Sequence, residues 1–150
     1  MTGKFPFKKA LVTGGAGFIG SHIVEELVNM GVYTISVDNY FAGKEENLSH
    51  LKGRPNFQEE KCDVLDYDGL DELFPGVEVV FHEAASKKTI CDRDPRLDLD
   101  INAKGTFNLL ELAKKHKVKK FVHASTGSVY GEAQYFPQDE DHPLVPTSYY

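Results

Sequence analysis

Three glycines at a spacing of three residues, Gly14, Gly17 and Gly20, follow an apolar run near the start of the chain. Glycine at such positions permits a tight turn from strand to helix, a close approach of the backbone to a pyrophosphate, and close packing of the helix on a sheet. The amides of the next helical turn, which includes Phe18 and Ile19, would hold an anion at the positive end of the helix dipole. The spacing therefore predicts a phosphate-binding turn with a dinucleotide as its ligand.

A carboxylate follows the last of these glycines by eighteen residues. The β-branched run 32–37 ends on Asp38, where an acid can accept hydrogen bonds from an adenosine ribose. Such an acid would repel a 2′-phosphate, and the next residues supply one lysine, Lys44, and no arginine, so NAD is favoured over NADP. The alternative role for Asp38 is that of a plain acid at a strand end or in a turn.

The apolar pattern indicates the elements that must position these residues. Short apolar runs predict strands at 8–12, 32–37, 77–81 and 118–124, and residues 57–62 can form a further strand between them. Helical spacing predicts helices at 21–28, 64–74 and 95–116, the last with Gly105 at a close contact. Strands that alternate with helices pair in parallel through right-handed crossovers. The sequence thus predicts an α/β fold, a doubly wound parallel sheet with helices on both faces.

In such a sheet, ligands bind beyond the carboxyl ends of the strands. The residues expected at that edge are 14–20, Asp38 and Asn39, Asp63 and Val64, 82–87, and 124–128. Two alternatives stay open within this set. Asp63 could instead cap the helix expected from Val64, and His82 and His123 are expected as strand histidines with satisfied ring nitrogens rather than as catalysts.

Composition narrows the class of protein. The length of 150 residues suits one domain, and the net charge of −6 argues against nucleic-acid or anionic-membrane partners. Two isolated cysteines suit a reducing cytoplasm and predict no metal site, and the six histidines have no zinc-type spacing. No stretch is long enough to span a bilayer. From residue 127 onward periodicity is lost, which is typical of a functional loop or, as favoured here, of a segment that packs against more protein.

Six segments together resemble the extended short-chain dehydrogenase/reductases, in particular the NAD-dependent nucleotide-sugar epimerase/dehydratase group. They are residues 13–20, 38–39, 63–64, 82–85, 102–106 and 124–131, in this order along the chain. The resemblance implies a Rossmann fold with NAD as cofactor. It implies cofactor contacts from Ala84, Ala85, Lys87, Asn102 and Ser125, with Lys87 near the nicotinamide ribose. A solvated loop lysine is the alternative for Lys87, and a packing contact is the alternative for Asn102.

In that family a tyrosine, a lysine four residues later and a hydroxyl residue after the fifth strand work together. The resemblance assigns the hydroxyl to Thr126 and the tyrosine to Tyr150, with Tyr149 as the alternative, and the lysine would fall beyond Tyr150. A phenol is a poor base near neutral pH, so a nearby positive charge must favour its ionised form. The tyrosine would take a proton from a sugar hydroxyl while NAD takes a hydride from the same carbon.

The residues after Thr126 help to distinguish the reactions of the group. Related dehydratases carry an Asp-Glu pair there and decarboxylases carry a glutamate two residues on, whereas this chain has Gly127 and Ser128. The resemblance therefore favours a UDP-hexose 4-epimerase. A dehydratase or reductase, and a non-catalytic NAD-binding or redox-sensing module, remain the alternatives. We expect the chain to be the N-terminal portion of a longer, cytoplasmic enzyme, inactive by itself. Members of the family often pair through helices, one of them after the tyrosine, and the resemblance leaves a homodimer open for this protein.

Overall fold

The computed structural model describes residues 5–150, and five parallel strands form its single sheet. The strands are β1 Lys9–Thr13, β2 Tyr33–Asp38, β3 Phe57–Lys61, β4 Val79–His82 and β5 Lys120–His123, and the helices are α1 Phe18–Asn29, α2 Tyr67–Leu73, α3 Lys88–Cys91, α4 Pro95–Leu99 and α5 Gly105–Lys115. The order across the sheet is β3-β2-β1-β4-β5. The predicted doubly wound α/β fold is confirmed. No helix in residues 5–150 is long and apolar enough to cross a membrane.

The strand order reverses at β1, which lies between β2 and β4. In register, Thr13 at the end of β1 pairs with Val37 of β2 and with His82 of β4, and His82 pairs with His123 of β5. The carboxyl ends of these four strands therefore reach the same edge. A crevice outside a reversal of strand order is where open α/β sheets bind their ligands.

Alternate residues of β1 enter two separate cores, as the two-residue period of a strand requires. Leu11 packs with the buried residues of α2 and α5, such as Leu70 and Leu109, whereas Ala10 and Val12 pack against α1. Both faces of the sheet are thereby covered along β1. A strand buried on both faces carries few polar side chains, which explains the apolar run that revealed β1 in the sequence.

Two predicted helices differ from those observed. The helix expected at 64–74 begins only at Tyr67, because Asp66 accepts a hydrogen bond from the Gly69 amide at 3.0 Å and caps the helix there. The long helix expected at 95–116 is interrupted by one π turn, Asp100–Lys104, between α4 and α5. The apolar periodicity did not reveal this turn because a single wide turn shifts the buried face by only one residue.

Short elements without strong periodicity were not predicted. They are α3 and the 3₁₀ turns Glu45–Asn47, Ser49–Leu51 and Gly127–Tyr130. Each spans at most four residues, which is too short for a repeating apolar pattern. Apart from the last of these turns, residues 127–150 contain no regular element, as expected.

The predicted close contact at Gly105 is confirmed. A Cβ atom placed on Gly105 would lie 2.6 Å from Cγ2 of Val64, a buried and β-branched side chain that cannot easily move aside. Gly105→Ala should therefore destabilise the protein by about 1–2 kcal/mol from overpacking, although alanine in an open helix would stabilise it by about 1 kcal/mol. Urea unfolding measures the difference.

A Val64→Ala background supplies the control for this prediction. With the Val64 methyl groups removed, Gly105→Ala should become neutral or stabilising, since only the helix propensity remains. If Gly105→Ala destabilises both backgrounds equally, the contact with Val64 is not the reason for the glycine.

Candidate cofactor and active site

Two adjoining cavities form a groove along the carboxyl edge of the sheet. The first, of about 270 Å³, extends from the glycine turn towards β2 and contains Asp38; we call it the Asp38 cavity. The second, of about 490 Å³, extends towards β5 and contains Tyr150; we call it the Tyr150 cavity. Both are lined by Gly14, Gly17, Glu83, Ala84 and Ala85. The groove thus crosses the reversal of strand order at β1.

The glycine turn joins β1 to α1 in the middle of this groove. Gly14 has a φ of +65°, and a Cβ atom there would lie 2.8 Å from the amide nitrogen of Ala84. A Cβ atom on Gly20 would collide with the carbonyl oxygen of Gly14. Gly17 caps α1 without any side-chain hydrogen bond, and the first turn of α1 holds no acidic residue. The positive end of α1 is therefore not neutralised by its own side chains, which fits the pyrophosphate of a dinucleotide.

Asp38 ends β2 at the wall of the Asp38 cavity and is 8% exposed. Its Oδ2 accepts a hydrogen bond from the Ala16 amide at 3.0 Å, and its Oδ1 accepts one from the Tyr40 amide at 2.8 Å. The carboxylate does serve as a strand-end acid, as in the alternative interpretation. Each carboxylate oxygen can accept further hydrogen bonds, so the group keeps acceptor capacity beside the two amides that fix its orientation.

Asp63 and Asn39 lie beside each other in the same cavity. Asn39 Nδ2 donates to Asp63 Oδ2 at 2.8 Å, and the Leu65 amide donates to Asp63 Oδ1 at 2.9 Å. The alternative of Asp63 as a helix cap is wrong, because Asp66 performs that role. Val64 lines this cavity as well.

Cys62 completes this wall of the Asp38 cavity. Burial, reinforced by the neighbouring acids, raises the pKa of the Cys62 thiol to about 11. The thiol is therefore protonated and unreactive near neutral pH.

The segment after β4 carries the remaining residues of the Asp38 cavity. Ala84, Ala85, Ser86 and Lys87 all line it. Lys87 is exposed; it lines this cavity and is not among the residues that line the Tyr150 cavity. Lys88 instead forms an ion pair with Asp92 at 3.3 Å.

The Tyr150 cavity contains the predicted catalytic pair. Its lining includes the predicted residues Phe18, Ile19, Gly20, Asn102, Ser125, Thr126 and Tyr150. Thr126 caps the 3₁₀ turn Gly127–Tyr130, because its Oγ1 accepts a hydrogen bond from the Ser128 amide at 3.1 Å. Tyr149, by contrast, is 90% exposed and lies outside the cavity. The structure therefore brings Tyr150 and Thr126 together and leaves Tyr149 apart from them.

Four further residues line the Tyr150 cavity that the motifs do not mark as functional: His82, Glu83, Thr106 and His123. His82 is satisfied as expected, with Thr13 Oγ1 at 2.7 Å from Nδ1 and Thr106 Oγ1 at 2.9 Å from Nε2. Burial raises the pKa of the Glu83 carboxyl. The position of Glu83 directly after β4 was the available signal.

The buried imidazole of His82 predicts a pH dependence of stability. Burial, with a smaller contribution from His123, lowers the pKa of His82 from 6.5 to about 4. Between these pH values the unfolded chain binds a proton that the folded chain does not. The free energy of unfolding should therefore fall as the pH is lowered from about 6.5 to about 4, by up to about 3 kcal/mol.

Urea unfolding of the protein and of His82→Gln, at pH 7 and pH 4.5, measures this contribution. The variant should lose less stability over the interval than the unmodified protein. Asp71 and Glu78, whose pKa values are lowered by ion pairs and hydrogen bonds, contribute equally to both proteins. If both proteins lose the same free energy of unfolding between pH 7 and pH 4.5, His82 is not the cause of the pH dependence.

A parallel sheet with a glycine turn at its reversal point, an uncapped helix terminus facing the groove and a carboxylate ending β2 defines a Rossmann-type dinucleotide-binding domain. Comparison with known families identifies the group: the family model for the NAD dependent epimerase/dehydratase family matches residues 10–150. The chain belongs to this family. The prediction of NAD as the cofactor is confirmed by this membership.

Curated relatives and solved structures agree with this assignment. The chain is 42% identical to a UDP-glucose 4-epimerase of Mycolicibacterium smegmatis (95% of this chain, 46% of the relative) and 42% identical to a UDP-N-acetyl-alpha-D-glucosaminuronate decarboxylase of Bacillus cytotoxicus (89% and 41%). The crystal structure of the Thermus thermophilus UDP-glucose 4-epimerase in complex with NAD matches with a TM-score of 0.81 and 38% identity, over 95% of this chain and 46% of that chain. The chain thus spans less than half the length of these relatives.

Proposed function

We propose that this chain is the NAD-binding part of an NAD-dependent nucleotide-sugar epimerase, with a UDP-hexose as substrate and inversion at C4 as the reaction. The observation that carries the proposal is the presence of Thr126 and Tyr150 in one cavity that adjoins the glycine turn. A hydroxyl, a phenol and a dinucleotide turn at one site are the groups that a reversible oxidation of a sugar alcohol requires. The epimerases among the relatives support this reaction class.

The two cavities divide the cofactor contacts between them. The amides of residues 14–20 would hold the diphosphate of NAD. Asp38 would accept hydrogen bonds from the adenosine ribose, with Asn39, Asp63 and Val64 around the base and Lys87 at the rim. Ala84 and Ala85, on the wall shared by both cavities, would lie under the middle of the cofactor, while Asn102 and Ser125 would contact its other half. NAD, when bound, supplies a hydride acceptor that can return the hydride to either face of the sugar.

Tyr150 and Thr126 then handle the proton. The Tyr150 Oη would take the proton from the sugar hydroxyl and later return it. Thr126 Oγ1 accepts the Ser128 amide hydrogen, so its own hydroxyl proton is available to donate to the substrate oxygen or to Tyr150. The 3₁₀ turn thus orients the hydroxyl of Thr126 before any substrate arrives, which reduces the entropic cost of alignment.

The side chains around Thr126 favour epimerisation over elimination or decarboxylation. A carboxylate next to the hydroxyl residue would provide the acid or base for those reactions, and Gly127 and Ser128 stand there instead. In residues 5–150 the acid that lines the Tyr150 cavity is Glu83, on the β4 side. The similarity to a decarboxylase keeps that reaction as the second candidate.

Product analysis tests the proposal. The longest reading frame that contains this chain would be supplied with NAD and incubated with UDP-galactose or UDP-glucuronate, and ¹H NMR would follow the sugar signals. We expect UDP-glucose from UDP-galactose with no net accumulation of NADH. A pentose from UDP-glucuronate would establish the decarboxylase, a 4-keto-6-deoxy sugar the dehydratase, and NAD binding without turnover the non-catalytic module.

A further inference from the structure

The segment 83–87, which lines both cavities, is held in place through three of its amides, of which that of Glu83 donates to the carbonyl oxygen of Thr13 at 3.1 Å. The Ala84 amide donates to Thr13 Oγ1 at 3.4 Å, and the Ser86 amide donates to Asn102 Oδ1 at 2.9 Å. Thr13 ends β1, whereas Asn102 lies in the π turn Asp100–Lys104. The shape of the groove wall thus depends on two separate elements.

A chain of hydrogen bonds connects these two elements beneath the wall of the Tyr150 cavity. Thr13 Oγ1 lies 2.7 Å from Nδ1 of His82, and Nε2 of His82 lies 2.9 Å from Oγ1 of Thr106. Thr106 Oγ1 in turn donates to the carbonyl oxygen of Asn102 at 2.6 Å. This chain of hydrogen bonds therefore begins at the amide of Ala84 and ends at the backbone carbonyl of Asn102. The side chain of Asn102 in turn binds the amide of Ser86.

The carbonyl at one end of this chain of hydrogen bonds and the low pKa of the imidazole together determine the direction of each bond. A carbonyl can only accept, so the Thr106 hydroxyl proton points to Asn102 and the Thr106 oxygen accepts from His82 Nε2–H. Burial lowers the pKa of His82 to about 4, so the imidazole is neutral near neutral pH and carries its single proton on Nε2. His82 Nδ1 then accepts the hydroxyl proton of Thr13, whose oxygen accepts from Ala84. A second proton, on Nδ1, would leave the Thr13 hydroxyl without its acceptor.

Asn102 is itself held by a buried acid. Its Nδ2 donates to Asp98 Oδ1 at 3.0 Å and to Ser86 Oγ at 3.2 Å, and the Ser86 hydroxyl also bonds to Asp98. Asp98 is 2% exposed. These bonds orient the Asn102 amide with its oxygen towards the Ser86 amide, and a π turn inside a helix is a common means of placing such a group at a functional site.

We propose that His82 and Thr106 are positioning residues for the cofactor. They do not act on NAD through their charge. Their hydrogen bonds join Thr13 to Asn102 and so hold the segment 83–87 between β1 and the π turn. The proposal rests on the proposed function in one respect, that this segment contacts NAD. Loss of the Thr106 hydroxyl leaves Nε2 of the buried His82 without its acceptor and loosens the segment, so NAD binding weakens.

Thr106→Val and Thr106→Ser test the proposal as a matched pair. Valine keeps the shape and removes the hydroxyl, whereas serine keeps the hydroxyl and removes a methyl group. By isothermal titration calorimetry, Thr106→Val should bind NAD about tenfold more weakly, and Thr106→Ser should stay within about twofold of the unmodified protein. Long-range ¹H–¹⁵N spectra should show His82 protonated on Nε2 in the protein and in Thr106→Ser, and a mixture of tautomers in Thr106→Val.

Three results would overturn the proposal: unchanged NAD affinity in Thr106→Val, equal losses in both variants, or a proton on Nδ1 of His82 in the unmodified protein. If Thr106→Val does not fold, Thr13→Val and Thr13→Ser interrupt the same chain at β1 and serve as the second pair. Failure of the unmodified protein to bind NAD would reject the proposed function as well, whereas equal affinities among proteins that do bind NAD would reject only the positioning role.

Discussion

Gly14→Ala should lower the affinity for NAD by about 100-fold or more. The φ of +65° at Gly14 disfavours any residue with a Cβ atom, and that atom would lie 2.8 to 2.9 Å from the backbone of Glu83 and Ala84. Because these are backbone atoms, they cannot rotate away from the added methyl group as a side chain could. The turn must shift, and the amides that face the groove shift with it.

Gly53→Ala is the matched control for this variant. Gly53 also has a positive φ, +86°, but nothing lies within 4 Å of the position of its Cβ atom. Gly53→Ala should lower the free energy of unfolding by about 1 kcal/mol, from backbone strain alone, and leave NAD binding unchanged. Calorimetry for binding and urea unfolding for stability separate the two effects. If Gly14→Ala binds NAD as tightly as Gly53→Ala does, the glycine turn is not the diphosphate site.

Tyr150→Phe should reduce kcat for epimerisation by about 10³-fold, because it removes the proton acceptor and leaves the ring in place. NAD affinity should remain within a few fold, since the proposed diphosphate and ribose contacts lie in other parts of the groove. Steady-state kinetics on the longest reading frame that contains this chain, together with NAD titration, measure both quantities. Reduced kcat with unchanged NAD binding is the expected pattern.

Tyr149→Phe supplies the control one residue away. The Tyr149 side chain is 90% exposed and lies outside the Tyr150 cavity, so its loss of a hydroxyl should leave kcat near that of the unmodified protein. A larger effect on kcat at position 149 than at position 150 would reverse the assignment of the base.

Thr126→Val, which removes the hydroxyl oriented by the Ser128 amide, should also reduce kcat, as Tyr150→Phe does.

The two main variants also test different halves of the proposal. Gly14→Ala acts on cofactor binding, whereas Tyr150→Phe acts on proton transfer after the cofactor is bound. If both variants lose turnover but only Gly14→Ala loses NAD binding, the two cavities have the separate roles proposed for them. A protein in which Tyr150→Phe changes neither turnover nor binding would favour the non-catalytic NAD-binding module.

Local features of the sequence were sufficient to predict most of the fold. The glycine spacing at 14, 17 and 20 and the acid at Asp38 lie within one strand-helix-strand unit, and their geometry follows from the period of each element. The strands β1, β2 and β4 give continuous apolar runs because they are covered on both faces, whereas β3 and β5 lie at the edges of the sheet and are less buried. The ends of helices were predicted less well. A helix cap such as Asp66 depends on a single hydrogen bond, and the sequence offers other acids nearby that could form it instead.

The amino-acid sequence by itself determined the class of fold, the cofactor turn and the set of side chains at the edge of the sheet, because these depend on residue type and on spacing along the chain. Only the tertiary structure decided that Tyr150 rather than Tyr149 enters the cavity with Thr126, that Lys87 lies on the Asp38 side, and that His82 joins Thr13 to Thr106. Each of these depends on which residues distant in sequence come within a few ångströms of one another. Such distances are set by packing across the sheet, which no periodicity along the chain encodes.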